Sequence, residues 1–150
     1  MKAVIQRVAK ANVHVYTEQV AVMDSGVLVL LGIGLEDTPE DIQWLTNKIA
    51  NLRIFNDENG VMNKSLKAVD GEIIVVSQFT LMAATKKGNR PSYTQAAGPE
   101  IAVPLYERFV KAMELVLGKK VQTGVFGADM KVELMNDGPV TIIIDTKNRL

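Results

Sequence analysis

Residues 77–80, SQFT, follow directly on an apolar run, EIIVV at 72–76. A β-branched stretch of that kind lies inside a sheet, so hydroxyl and amide groups placed where it ends must reach water or be given partners. Two readings fit. In the plainer one the strand simply leaves the core, and the hydroxyls of Ser77 and Thr80 cap neighbouring backbone. In the other the chain turns through Ser77, Gln78, Phe79 and Thr80 and presents backbone N–H groups. Two such donors aimed at the carbonyl oxygen of an acyl ester would stabilise the negative charge that develops as water attacks, by about 3 kcal/mol per donor.

Four further groups of residues could do chemistry. His14 is the only histidine, but no spacing brings it to Ser77 or Thr80, and an ordinary strand residue is the better reading. Asn136-Asp137-Gly138-Pro139 reads first as a hairpin turn. Pro139, however, removes a ladder donor where the next strand should begin to pair, which makes Gly138–Pro139 a natural place for a cis peptide with its carbonyls splayed outward. In the loop 85–99, Lys86, Lys87 and Arg90 stand beside Tyr93; it is the one local cluster of positive charge legible in the chain, and the place where a phosphate would be expected. Gly124-Val125-Phe126-Gly127 is either a turn with a buried aromatic or a stacking surface for a base.

Bulk properties narrow the class. The 150 residues suit one domain, 1–150, with a self-sufficient core. Lys plus Arg and Asp plus Glu are 17 each, so any contact with RNA must be local rather than carried by an overall basic field. The absence of cysteine and the single histidine point away from disulfides, a thiol nucleophile and a zinc site, and neither a metal nor another cofactor is expected. No window reaches the ~18 apolar residues of a membrane span, and the N-terminus has no secretory pattern. A cytosolic protein is expected.

The elements that must position these groups follow from periodicity. Residues 2–16 read as one long strand, with Ala3, Ile5 and Arg7 on one face, Val4, Gln6 and Val8 on the other, and a bulge near Ala11. Arg7 thus sits on a mixed face. Residues 19–23 and 26–34 read as a hairpin around Asp24-Ser25-Gly26, the second strand being apolar on both faces and hence central. Thr38 as N-cap, Pro39 at the first helical position, and Ile42, Leu45, Ile49 and Leu52 at helical spacing predict an amphipathic helix. A short strand at 53–55, a turn at 57–60 and a strand at 72–81 follow. Leu105, Phe109, Met113 and Val116 mark a second helix ended by Gly118, with Pro104 expected in its first turn. The last third reads as a strand at 130–135, a tight connection at 136–139 and a strand at 140–145.

Seven blocks in this order also carry a resemblance: AVIQRV at 3–8, NLRIFND at 51–57, SQFTL at 77–81, KGNRPSY at 87–93, PLYERFV at 104–110, QTGVFGADM at 122–130 and NDGPVT at 136–141. Together they resemble the D-aminoacyl-tRNA deacylases, formerly D-tyrosyl-tRNA deacylases, along nearly the whole chain.

The resemblance implies a homodimeric α/β protein with a β-barrel-like mixed sheet and two main helices. It implies hydrolysis of the ester joining a D-amino acid to the terminal adenosine of tRNA, and composite active sites in which the SQFTL-type motif of one subunit meets the Gly-cis-Pro motif of the other. Ser77, Gln78, Phe79 and Thr80 would frame the scissile ester. Gly138 and Pro139 of the second subunit would face the α-carbon and refuse L-stereochemistry, Arg7 would orient that motif, and Phe126 and Gly127 would lie near the adenine. Thr80 would be either a nucleophile or a lining residue, with backbone N–H groups and the terminal ribose hydroxyl assisting water. An RNA-binding module without catalysis and a hydrolase of small D-amino esters are the alternatives.

Overall fold

The computed structural model describes residues 1–150. Strand β1 (Lys2–Val15) is the spine of a mixed sheet. It turns at Tyr16 and Thr17 into β2 (Glu18–Met23), which runs back antiparallel beside residues 11–15. Strand β3 (Gly26–Gly32) then pairs antiparallel with residues 2–8 of the same β1. The two therefore lie in line along one edge of β1, and the hairpin expected at Asp24-Ser25-Gly26 is instead a kink in one continuous path. The reason is local. The next strand approaches so closely that a Cβ on Gly26 would fall 1.9 Å from the Glu72 carbonyl oxygen, and the Ser25 carbonyl accepts the Glu72 N–H at 3.1 Å. The kink is occupied by a neighbour's backbone rather than by a turn.

Helix α1 (Pro39–Asn51) forms as its caps require: Asp41 accepts the N–H of the N-cap Thr38 at 2.8 Å, with Pro39 opening the first turn. Strands β4 (Phe55–Asn56) and β5 (Met62–Lys64) make a small separate ladder around the 57–60 turn. Arg53 and Ile54, expected as strand, stand outside it because the Ile54 carbonyl is taken by the Arg7 guanidinium and the Arg53 Nε–H donates to Asn63 O. Strand β6 (Glu72–Ser77) pairs in parallel with β3 and stops at Ser77, and a 3-10 turn covers Phe79–Met82.

Helix α2 (Pro99–Leu117) begins earlier than its apolar spacing suggested, which leaves Pro104 in its interior rather than its first turn. The added turn is held by the Ile101 and Ala102 N–H groups on the Gly98 carbonyl (3.0 and 2.8 Å) and by burial of Ala102. These contacts offset the hydrogen bond that proline cannot donate.

Strand β7 (Gln122–Thr123) pairs in parallel with β6, and β8 (Met130–Asp145) runs antiparallel to β1 over almost its whole length. The two strands expected at 130–135 and 140–145 are thus halves of one strand. Both pair with β1, and the segment around 136–140 bulges opposite residues 7–9, where the register shifts twice. The phase break in β1 falls there and, against β2, at Val13/His14. The Gly138–Pro139 peptide is cis.

Alternate residues of β3 and β6 enter two cores. Val27, Val29, Leu31, Ile73 and Val75 face Ile42, Leu45 and Ile49 of α1 and Ala102, Phe109 and Met113 of α2. Leu28, Ile74 and Val76 face Val8, Ala11, Val13, Ala21 and Met23 inside the curled sheet. Closure is nearly complete because Gln122 mimics a ladder residue. Its side-chain oxygen accepts the Val22 N–H at 2.8 Å, and its side-chain nitrogen donates to the Val22 carbonyl at 2.6 Å. The result is the expected α/β architecture, a barrel-like mixed sheet with two helices against one face. No helix is long and apolar enough to cross a membrane.

Candidate active site

The path from β6 to its neighbours determines what meets at Ser77. Because β7 lies parallel to β6, with Ile74 opposite Gln122 and Val75 opposite Thr123, the chain leaving β7 passes over the end of β6. Phe126 and Gly127 are carried there in a turn closed by the Ala128 N–H on the Val125 carbonyl at 3.1 Å. Ser77, Gln78, Phe79, Phe126, Gly127 and Ala128 accordingly line one cavity of ≈ 300 Å³, floored by Leu31, Val76 and Ala102. Two sequence motifs more than 40 residues apart thus form a single site.

The turn after β6 is pinned, and its first two donors are left unpaired. The Gln78 N–H is spent on the Leu31 carbonyl at 2.8 Å, and the Leu81 and Ala83 N–H groups on Gln78 and Thr80 carbonyls. The N–H groups of Phe79 and Thr80, first in the 3-10 turn, have no acceptor within it. The Gln78 side-chain amide donates to the Thr80 hydroxyl oxygen at 2.5 Å, so the amide orients that hydroxyl and cannot take its proton. Phe79 is 56 % exposed and meets Tyr93 edge to face at 5.0 Å, which ties the basic loop of Lys86, Lys87 and Arg90 to the cavity rim.

Phe126 is held from behind. Tyr106 of α2 donates its phenol to the Val75 carbonyl at 2.6 Å and stands edge to face with Phe126 at 5.8 Å. Burial pushes the Tyr106 phenol above its ordinary value, so it remains a neutral donor at any physiological pH. Sequence reasoning did not single out Tyr106 for the site; its spacing on the buried face of α2 resembles that of any core residue.

No carboxylate, imidazole or amine lines the cavity. His14 lies in β1, opposite Gln19 and Lys131, with a hydrogen bond to the Asn12 side chain, as an ordinary strand residue would. The arrangement can therefore offer backbone N–H groups, hydroxyls, an aromatic ring and an apolar floor, but no side-chain base.

Arg7, Gly138 and Pro139 form a second constellation that does not line this cavity. Arg7 is only 7 % exposed. Its Nε–H donates to the Asp137 carbonyl at 3.0 Å and its Nη1 to the Ile54 carbonyl at 2.6 Å. Gly138 has φ +121°, and a Cβ there would lie 2.8 Å from the Arg7 Nη2. The guanidinium thus packs under a residue that must be glycine, and the exposed Gly138–Pro139 segment projects above it. The surface this segment presents is short: a glycine with no side chain and a compact proline ring.

The family model for D-Tyr-tRNA(Tyr) deacylase matches residues 4–145. The chain belongs to this family. A protein of Flavobacterium psychrophilum named D-aminoacyl-tRNA deacylase is 64 % identical over 149 residues, 99 % of each chain. One of the same name from Bacteroides thetaiotaomicron is 60 % identical over the same span. Among solved structures, one titled c-Myc DNA unwinding element binding protein superposes with a TM-score of 0.91 at 42 % identity, covering 97 % of this chain and 98 % of that one. A probable eukaryotic D-amino acid tRNA deacylase shares the fold, with a TM-score of 0.81 at 17 % identity over 95 % and 97 % of the two chains.

Proposed function

We propose that this chain, one domain acting in the cytosol, hydrolyses the ester that joins a D-amino acid to the terminal adenosine of tRNA, releasing free D-amino acid and tRNA. The observation that carries this reading is a cavity with no titratable side chain in its lining, bordered by a 3-10 turn whose first two backbone N–H groups, those of Phe79 and Thr80, are unpaired. Water adds to the ester carbonyl, the acyl–oxygen bond breaks, and the ribose oxygen leaves with a proton as the amino acid's carboxylate forms. Phe79 and Thr80 N–H groups receive the developing oxyanion, Ser77 and Gln78 frame the ester, and the adenine lies against Phe126 and Gly127. With no side-chain base at hand, the substrate's own ribose hydroxyl is the group that assists water. Single-turnover release of D-tyrosine from D-tyrosyl-tRNA tests the reading. Binding without release would leave an RNA-binding module, and equal rates on a simple D-tyrosine ester would make the chain a small-ester hydrolase.

Thr80 in this scheme lines the site rather than attacking. Thr80→Ala keeps the N–H donor and loses only the hydroxyl, so deacylation should fall by about 10-fold or less. A folded Thr80→Ala protein that binds substrate and shows no turnover would instead make Thr80 the nucleophile.

The second constellation completes the cavity from another copy of the chain. Arg7, Gly138 and Pro139 lie outside the cavity of their own subunit, and β8 pairs only with β1, so its other edge is unpaired. That strand also exposes Met135 (52 %) and Ile143 (75 %). A two-fold homodimer burying more than ~1,000 Å² in total would cover this face and bring Gly138 and Pro139 of one subunit over the cavity of the other. Light scattering at micromolar concentration should give twice the chain mass; a monomer that deacylates at full rate would remove the composite site.

A further inference from the structure

The folded chain gathers a second group of cations that the linear sequence scatters. Lys48 on α1, Arg53 just beyond it and Arg149 near the C-terminus line one groove of ≈ 650 Å³ on the outer side of α1. Arg149 lies over the Trp44 ring at 4.2 Å and Lys48 reaches the same indole at 5.5 Å. The indole therefore holds both charges against the surface and lowers the cost of ordering them for a ligand.

These three cations have no acidic partner, whereas Lys64, Lys119, Lys131 and Lys147 each pair with a carboxylate. Arg53 and Arg149 each spend their Nε–H on a backbone carbonyl, of Asn63 and Thr146, which leaves the terminal nitrogens of both free to donate. Glu40 is the one acidic residue in the lining, and Trp44 and Leu52 are its only hydrophobic ones. A cationic ligand would be repelled there, and an apolar one would find little to cover it.

The shape favours an extended anion. The outer stripe of α1 from Glu40 to Asn51 is about 17 Å long at 1.5 Å per residue, and a nucleic-acid strand in a duplex advances about 3.4 Å per nucleotide. The groove has the length of several nucleotides, not the single cradle of a free phosphate. Its position fits as well. Arg53 adjoins Ile54, whose carbonyl receives Arg7, which in turn holds Asp137 beside Gly138.

We propose that the Trp44–Lys48–Arg53–Arg149 groove binds the phosphodiester backbone of an RNA strand, the stem of the substrate that leads to the ester. This rests on the deacylase reading of the cavity and adds to it a surface on the subunit that contributes Gly138 and Pro139. Each exposed cation that meets a phosphate releases counterions, contributing about 0.7–0.9 to the slope of log affinity against log salt.

The test uses the full chain and an uncharged acceptor-stem RNA hairpin with an unpaired 3′ terminus, titrated by fluorescence anisotropy at several salt concentrations. The triple variant Lys48→Ala, Arg53→Ala, Arg149→Ala should bind on the order of 10-fold more weakly at low salt and lose about 2–3 from the slope. Because Arg53 also braces Asn63, the pair Lys48→Gln, Arg149→Gln is measured beside it, with a slope loss of about 1–2 expected. Lys119→Ala, at a paired lysine outside the groove, should leave the slope unchanged. Wild-type affinity and slope in both groove variants would overturn the proposal, as would an equal loss in Lys119→Ala. Uncharged RNA needs no turnover, so absence of D-tyrosine release by the wild-type chain would overturn the catalytic reading while the groove result stands separately.

Discussion

Arg7→Ala is expected to reduce deacylation of D-tyrosyl-tRNA by on the order of 100-fold, far more than loss of the Thr80 hydroxyl, although Arg7 does not line the cavity at Ser77. The guanidinium bridges two stretches of chain. One N–H fixes the Asp137 carbonyl, another the Ile54 carbonyl, and the planar group fills the space beneath Gly138. Alanine would remove both bonds and leave the Ile54 carbonyl, a buried acceptor, without its donor, at a cost of about 1–3 kcal/mol in stability. The motif above would then be free to shift, and a displacement of about 1 Å at a positioning group can lower a rate by about 10²-fold. Arg7→Lys keeps the charge but not the planar fork, and should restore stability more than rate. The checks are single-turnover kinetics and urea unfolding of both variants. Wild-type turnover in a folded Arg7→Ala protein would show that the motif is oriented without it.

The role of Arg7 illustrates what the sequence could and could not convey. Its place on a mixed face of the first strand was readable from alternation, because Ala3 and Ile5 share that face. That its partners would be carbonyls at positions 54 and 137 was not, since both are backbone groups and carry no residue signature. Helix α1 was readable almost to the residue, because N-cap, proline and apolar spacing all state the same boundary. The Asp24-Ser25-Gly26 and Asn136-Asp137-Gly138-Pro139 segments misled for a common reason. Each has turn chemistry, and each interrupts a strand whose two halves remain on the same neighbour, β1. Local composition reports that a ladder is broken; it does not report whether the chain reverses afterwards.

The same distinction applies to the site. The polar end of β6 marked Ser77, Gln78 and Thr80 directly, and glycines flagged Phe126 and Gly127 as a turn. Their meeting depends on the parallel pairing of β6 with β7, a two-residue strand too short to register as periodicity. The barrel closes there through the Gln122 side chain acting as backbone, which no alternation pattern encodes. The cations of the α1 groove were hidden in another way. The loop at 85–99 drew notice because its charges are adjacent in sequence, while Lys48, Arg53 and Arg149 become neighbours only when the C-terminal residues fold back over Trp44.

Glycyl-tRNA should be hydrolysed and L-alanyl-tRNA spared, a difference of on the order of 100-fold or more produced by one methyl group. The expectation follows from the surface that Gly138 and Pro139 present and from the geometry of one carbon. If the site grips the substrate's amine and ester carbonyl, the α-carbon keeps two positions, one for hydrogen and one for the side chain, and handedness decides which faces the wall. A D-residue turns hydrogen toward Gly138 and Pro139, and an L-residue turns its side chain there. Gly138 has no Cβ to withdraw, and behind it the Arg7 Nη2 would lie only 2.8 Å from one, so the wall has little room to recede. Overpacking of this kind costs about 1–3 kcal/mol per misplaced group, and at about 1.4 kcal/mol per tenfold in rate the upper end of that range gives the stated discrimination. Such a wall refuses rather than recognises. It should exclude the methyl of L-alanine as firmly as the ring of L-tyrosine, remain indifferent to which D-side chain points away from it, and have no means of refusing glycine, which carries hydrogen in both positions. Single-turnover deacylation of D-tyrosyl-, D-alanyl-, L-tyrosyl-, L-alanyl- and glycyl-tRNA measures this directly. Comparable rates for L-alanyl- and D-alanyl-tRNA would sink the steric account, and a chain that hydrolysed D-tyrosyl- but not D-alanyl-tRNA would show that the side chain is read by a pocket instead.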